Sequence, residues 1–397
     1  MSMEGKISRR VSEAPLSGIR KFFDIASEMK DVISLSVGEP DFVTPWGIRE
    51  AAIYSIERGR THYTSNHGLM ELRRNICSYM SRRFDLSYEP NEVIATVGAS
   101  EGIDLALRAI IEPGDEVLVP APSYVSYMPC VMFAGGTAVA LETKADNGFI
   151  ITPEAIRAAV TPKTKAIVVP YPNNPTGAIM KKDQLEAIAD EIIKNDLVVI
   201  SDEIYAELTY AGRHVSIASL PGMEERTIVL NGFSKAFAMT GWRIGYACAK
   251  GPLIAAMLKL HQYVMLCAPI MSQIAANEAL SAGLENGFEQ VLSMVAQYNR
   301  RRRITVGAFN AMGLSCFEPL GAFYVFPCIS STGLTSDEFC HRLLMEKHVA
   351  MVPGTAFGES GEGFIRCSYA ASVDNINEAM KRTAAFVDEL KAGKKIG

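Results

Sequence analysis

The chain has 397 residues, enough to bury a large core and to fill two or three domains. Its 48% hydrophobic and 21% charged residues are ordinary for a soluble globular enzyme, and a formal charge of −5 leaves no basic excess that would suggest nucleic acid. No run approaches the ~18 apolar residues of a membrane span, and the opening "MSMEGKISRR" has no apolar run behind it, so it does not read as a signal peptide.

Strand-like runs alternate with helical periods along the chain. "EVIATVG" (92–98) reads as a strand and "ASEGIDLALRAII" (99–111) as the helix after it. "DEVLVP" (115–120) is a strand, followed by a helical stretch near "SYVSYMPCVMFA". "TKAIVVPYP" (164–172) is a strand and "KKDQLEAIADEIIKN" (181–195) an amphipathic helix. "DLVVISD" (196–202) and "RTIVLNG" (226–232) are two further strands. Continuous Val/Ile/Leu runs separated by helices predict an α/β fold with a mainly parallel sheet buried on both faces. From about Asn286 the pattern changes to a long helix around Arg300, short strands near "GAFYVFP" and "GFIRCSYA", and further helices. That tail predicts a smaller α+β domain. The run Asn299–Arg303 reads as one solvated helix face. Eight cysteines, at 77, 130, 248, 267, 316, 328, 340 and 367, form no C-x-x-C pair, which excludes the usual zinc and redox motifs. Free thiols fit a reducing compartment, the cytoplasm.

In open parallel sheets, ligands bind beyond the carboxyl ends of the strands. Ala99 and Ser100 follow the first strand at a helix start. "NNPTG" (173–177) follows another, Asp202 ends a third with Tyr205 three residues on, and Ser234 and Lys235 follow a fourth. Each set alone reads as a cap, a turn or a surface charge. Together they occupy one rim and specify a ligand. A lysine in a small, partly apolar niche can attack a carbonyl. The helix start at Ser100 offers N–H groups and a dipole to a phosphate, with Ser234 and Arg243 adding a hydroxyl and a guanidinium. A buried Asp202 needs a cationic partner. Asn174 and Tyr205 offer donors to an anionic oxygen. An aldehyde, a phosphate, a basic ring nitrogen and a phenolic oxygen meet these demands together in pyridoxal 5′-phosphate (PLP).

The ordered set "YPNNPTG", "SDEIYAEL" and "NGFSKAFAMTGWRIGY" resembles the class I/II aminotransferases, fold-type I PLP enzymes, over nearly the whole chain. The resemblance implies that Lys235 bonds covalently to the cofactor aldehyde and, once freed, moves the substrate's Cα proton. It implies that Asp202 pairs with the ring nitrogen, Asn174 and Tyr205 with the ring hydroxyl, and Ala99, Ser100, Ser234 and Arg243 with the phosphate. Tyr124 falls where the family places an aromatic that stacks on the ring. Tyr63 matches the tyrosine that reaches across a homodimer to the partner's phosphate. The resemblance further implies that Gly38 lies beside the substrate carboxylate and that Arg366 grips that carboxylate with its planar fork. A division follows: 1–40 joins the small domain and dimer interface, 41–285 is the large PLP-binding domain, and 286–397 is the small α+β domain. The activity implied is ping-pong transfer of an amino group between an L-amino acid and a 2-oxo acid such as 2-oxoglutarate.

Within the family, "SGIRKF" (17–22), "KLHQY" (259–263) and "GAFYVFP" are similar to the aspartate/aromatic subgroup. Acyl-diaminopimelate aminotransferases carry nearly the same pattern, and C–S β-lyases share the fold and the lysine. A PLP-binding transcription regulator would need an N-terminal DNA-binding module, whereas about thirty residues precede "ISLSVG". Serine at position 100 argues against a lysine there for a side-chain carboxylate. His62 and His67 read as polar contacts, and His261 as core or interface.

Overall fold

The computed structural model describes residues 3–14 and 29–394. The "SGIRKF" segment lies outside the described residues. The strands are β1 (Ile33–Ser34), β2 (Val93–Thr96), β3 (Glu116–Ala121), β4 (Thr137–Glu142), β5 (Thr164–Val169), β6 (Val198–Asp202), β7 (Thr227–Gly232), β8 (Gly245–Cys248), β9 (Tyr324–Val325), β10 (Val349–Ala350), β11 (Val352–Pro353) and β12 (Ile365–Ser368).

Seven of these form the central sheet in the order β2-β8-β7-β6-β5-β3-β4. All neighbours run parallel except the two pairs made by β8. The apolar runs are continuous because helices cover both faces. Ile94, Val119, Val168 and Leu230 face the helices Gly98–Ile110 and Gly251–Val264. Their chain neighbours, among them Val93, Leu118 and Val229, face the opposite side. This alternation is the strand's period of two, with apolar residues on both phases. Burial of each such side chain contributes ~1.5–3 kcal/mol.

The C-terminal part carries an antiparallel sheet β11-β12-β9, and β1 pairs in parallel with β10. Its core, with Phe323, Phe339 and Phe386, packs the helices Glu289–Ala311, Ser336–Lys347 and Val373–Lys394. β4 and β8 were not expected from the sequence.

The run Asn299–Arg303 corrects its expectation of a single solvated face. Arg300 and Arg303 are exposed, but Arg301 and Arg302 are buried. Arg301 pairs with Asp41 at 2.7 Å and lies over the Phe42 ring, and Arg302 pairs with Glu318 at 2.7 Å. Successive residues on an α-helix point about 100° apart, so consecutive arginines cannot share one face.

Candidate active site

A cavity of about 670 Å³ opens at the carboxyl ends of the parallel strands, lined by Ala99, Ser100, Tyr124, Asn174, Asp202, Tyr205, Ser234, Lys235, Arg243, Arg366 and Gly38. Of the candidate residues, Tyr63 alone is absent from it. A second cavity of about 420 Å³, behind Phe42, Phe237 and Phe288, contains none of them.

β7 delivers Lys235 through the short loop after Gly232. Its Nζ donates to the Gly38 carbonyl at 2.6 Å and lies 5.8 Å from the Tyr205 ring centroid and 5.7 Å from that of Phe323. Burial lowers its pKa to about 8; Arg366 and Arg243 add to the fall, and Glu39 and Asp202 oppose it. Such an amine is partly neutral near physiological pH and can act as nucleophile and base.

Asp202 ends β6 and is buried. Its Oδ2 accepts from the Tyr127 hydroxyl at 2.7 Å and its Oδ1 from the Ile204 N–H at 3.2 Å. Burial raises its pKa, and those two hydrogen bonds oppose the rise. A cation brought to this carboxylate would restore its charge. Tyr205 shares a hydrogen bond with Tyr324, Oη to Oη, at 2.8 Å. The Tyr124 ring meets Tyr127 edge-on with centroids 5.6 Å apart.

At the other end of the cavity lies a cradle of hydrogen-bond donors. The helix Gly98–Ile110 starts there with Ala99 and the exposed Ser100 in its first turn. Because β8 runs antiparallel, its beginning faces the same rim, which brings Arg243 into the cavity. Arg243 has the left-handed φ of 48° and donates to the Thr240 carbonyl at 2.8 Å. It forms no ion pair among the described residues. A Cβ on Gly98 would stand 2.6 Å from its Nη2, so glycine there leaves the guanidinium its place.

Arg366, from β12, is buried between the Tyr324 and Phe357 rings, at 4.6 and 4.8 Å. Nη1 donates to Asn174 Oδ1 at 2.9 Å and Nη2 to the Ser36 carbonyl at 2.5 Å. Its Nε is buried without a partner, and no carboxylate pairs with it among the described residues. A buried cation without an anion is costly, and an anion entering the cavity would offset that cost.

The profile of the family "Aminotransferase class I and II" matches residues 30–382. The chain belongs to the class I and II aminotransferases. It is 54% identical to the Bacillus subtilis protein YugH, covering 97% of this chain and 99% of that one. It is 46% identical to an aspartate aminotransferase of Pyrococcus abyssi, over 97% and 99% of the two chains. The solved structure of the Thermus thermophilus aspartate aminotransferase with maleate superposes with a TM-score of 0.91 at 40% identity, covering 96% and 99%.

Class I and II aminotransferases are PLP-dependent enzymes, and the residues present fit that cofactor. The cradle supplies hydrogen-bond donors and an unpaired arginine for a phosphate, Asp202 a carboxylate for a ring nitrogen, and Lys235 a partly neutral amine for an aldehyde. Among the described residues no helix is long and apolar enough to cross a membrane.

Tyr127 and Tyr324 line the cavity and bond to candidate residues, yet had no role in the sequence reading. The spacing of Tyr124 and Tyr127 in "SYVSY" was visible, but their partners were not. His261 is fully buried against Glu101 at 2.7 Å, as core. His62 is exposed and His67 half-buried.

Proposed function

We propose that this aminotransferase moves amino groups between L-amino acids of the aspartate and aromatic groups and a 2-oxo acid such as 2-oxoglutarate. The observation that carries the reading is Arg366: a buried guanidinium without an ion pair, in one cavity with an amine of lowered pKa. The names of the relatives support the donor class. Tyr124, Val125 and Val37 give part of the cavity an apolar lining suited to an aromatic side chain. The decisive test compares kcat/KM for aspartate, phenylalanine and tyrosine, each against 2-oxoglutarate, pyruvate and oxaloacetate. Turnover with a quite different donor, and none with these, would overturn the substrate assignment.

When bound, PLP supplies an aldehyde that takes up the amino group and a ring that accepts the electron pair left when Cα loses its proton. Arg366 holds the substrate α-carboxylate with Asn174 and Gly38 beside it. Lys235 removes the Cα proton as a general base and gives it up at a different atom as a general acid, leaving the amine as it began. Asp202, oriented by Tyr127, keeps a proton on the ring nitrogen. Tyr205 and Asn174 donate to the ring oxygen, and Tyr124 covers the ring. Ser100, Ser234, Arg243 and the Ala99 N–H hold the phosphate.

The working unit we infer is a homodimer in which Tyr63 completes the partner's phosphate site. Tyr63 is 84% exposed. Its loop is tied by the Asn66–Leu266 hydrogen bond, 2.8 Å long, to a second exposed apolar stretch, Tyr263 to Leu266. Apolar patches of this kind mark interfaces. The division at 40 and 286 belongs to the same reading: β1 pairs with β10 of the small domain, and a helix ends at Asn286 before the left-handed Gly287. Eight free cysteines support a cytoplasmic location.

A further inference from the structure

Tyr324 meets three of the residues assigned above. Its hydroxyl shares a 2.8 Å hydrogen bond with Tyr205. Its ring lies 4.6 Å from the Arg366 guanidinium. A Cβ on Gly38 would collide with its hydroxyl. It stands on β9, paired with Ser368 of β12, and is buried. Backbone pairing and packing against Arg366 therefore hold this ring on two sides. Its hydroxyl is confined to the space between Gly38 and Tyr205.

A phenol carries one proton to donate and can also accept a hydrogen bond. Among the described residues, Tyr324 is the only hydrogen-bond partner of the Tyr205 hydroxyl. If Tyr205 donated to Tyr324, its single proton would be unavailable to a ligand. If Tyr324 donates, the proton of Tyr205 is free to point into the cavity. We propose that Tyr324 is a positioning residue for the reaction: it donates to Tyr205 and so fixes the Tyr205 proton on the cofactor's ring oxygen. The resulting chain, Tyr324 to Tyr205 to ring oxygen, is cooperative, because accepting a hydrogen bond makes a hydroxyl a stronger donor. The burial of both hydroxyls leaves water little part in the chain.

This inference rests on the assignment of Tyr205 to the ring oxygen. The test is the pH titration of the visible absorption of the PLP-loaded enzyme, in wild type, Tyr205→Phe, Tyr324→Phe and the double variant. Donation to the ring oxygen favours its anionic form, so losing the donation keeps the proton bound to higher pH. Tyr205→Phe is expected to raise the midpoint. Tyr324→Phe is expected to raise it by a smaller amount, roughly 0.3–1 pH unit. The double variant should titrate like Tyr205→Phe alone, because Tyr324 acts only through Tyr205. A Tyr324→Phe midpoint equal to wild type, with Tyr205→Phe shifted, would overturn the inference and leave the Tyr205 assignment standing. Additive shifts in the double variant would also overturn it. An unshifted Tyr205→Phe would remove the Tyr205 assignment, and this inference with it.

Discussion

The Lys235 ammonium donates to the carbonyl oxygen of Gly38 at 2.6 Å, across 197 positions of sequence. The contact joins the loop after β7 to the segment that follows β1. Through Gly38 the same segment abuts Tyr324, and through Ser36 it accepts from Arg366. The amine assigned to the Cα proton and the guanidinium assigned to the carboxylate are thus braced on one short stretch, Ser36 to Gly38.

Arg366 should govern substrate and leave the cofactor untouched. Hydrogen bonds to charged groups contribute ~1.5–3 kcal/mol each, so Arg366→Ala should lower kcat/KM for an amino acid by about two to four powers of ten. Arg366→Lys keeps the charge without the fork and should remain clearly impaired. PLP affinity should change little. An amine lacking the carboxylate should react equally poorly with wild type and variant. Equal damage to both substrates would make Arg366 structural.

Lys235 should destabilise the cofactor-free protein at neutral pH. Its pKa falls from the ordinary 10.5 to about 8, so between these values the unfolded chain binds more protons than the folded one. The cost is therefore fully present below pH 8 and fades as pH climbs to 10.5. Lys235→Met should raise the stability of the apoprotein at pH 7 by about 1–3 kcal/mol, with the gain vanishing above the upper value. Urea denaturation at the two pH values measures it. A gain independent of pH would point to packing instead.

Gly245 should matter to the phosphate cradle. A Cβ there would lie 2.8 Å from the Ala99 nitrogen and 2.9 Å from the Asn231 carbonyl oxygen, both backbone. Gly245→Ala must then push β8 away from the start of the helix that carries Ser100. Overpacking costs about 1–3 kcal/mol of stability, and the displaced helix start should also weaken PLP binding. Equilibrium titration of the apoprotein with PLP decides it, and unchanged affinity would contradict the cradle.

The rim was legible in the sequence because polar residues follow directly on apolar strands: Ser100, Asn174, Asp202 and Lys235 each sit a few positions past a run of Val, Ile or Leu. The reversal of β8 was not legible. Four residues, "GYAC", carry no sign of direction, yet that reversal brings Arg243 to the rim. Tyr127 and Tyr324 escaped for another reason. Their partners Asp202 and Tyr205 lie 75 and 119 positions away, and side-chain pairing at that range has no local signature. Arg301 and Arg302 were misjudged because composition outweighed helical geometry: a charge run suggests solvent, while a 100° step turns two of its members into the core.

Shared active sites can be tested by complementation. Tyr63→Phe and Lys235→Ala should each be impaired as pure proteins. Mixed under conditions that exchange subunits, they should form hybrid dimers with one site free of both changes. Activity should rise above the sum of the two variants. No rise would place Tyr63 outside the partner's site.

The covalent role of Lys235 is the central claim, and one experiment addresses it directly. Borohydride reduction of the PLP-loaded enzyme, followed by proteolysis and mass spectrometry, should find the cofactor on the peptide containing Lys235. Lys235→Ala should bind PLP without becoming labelled and should have almost no turnover. A labelled peptide from any other lysine, or full turnover in Lys235→Ala, would contradict the account.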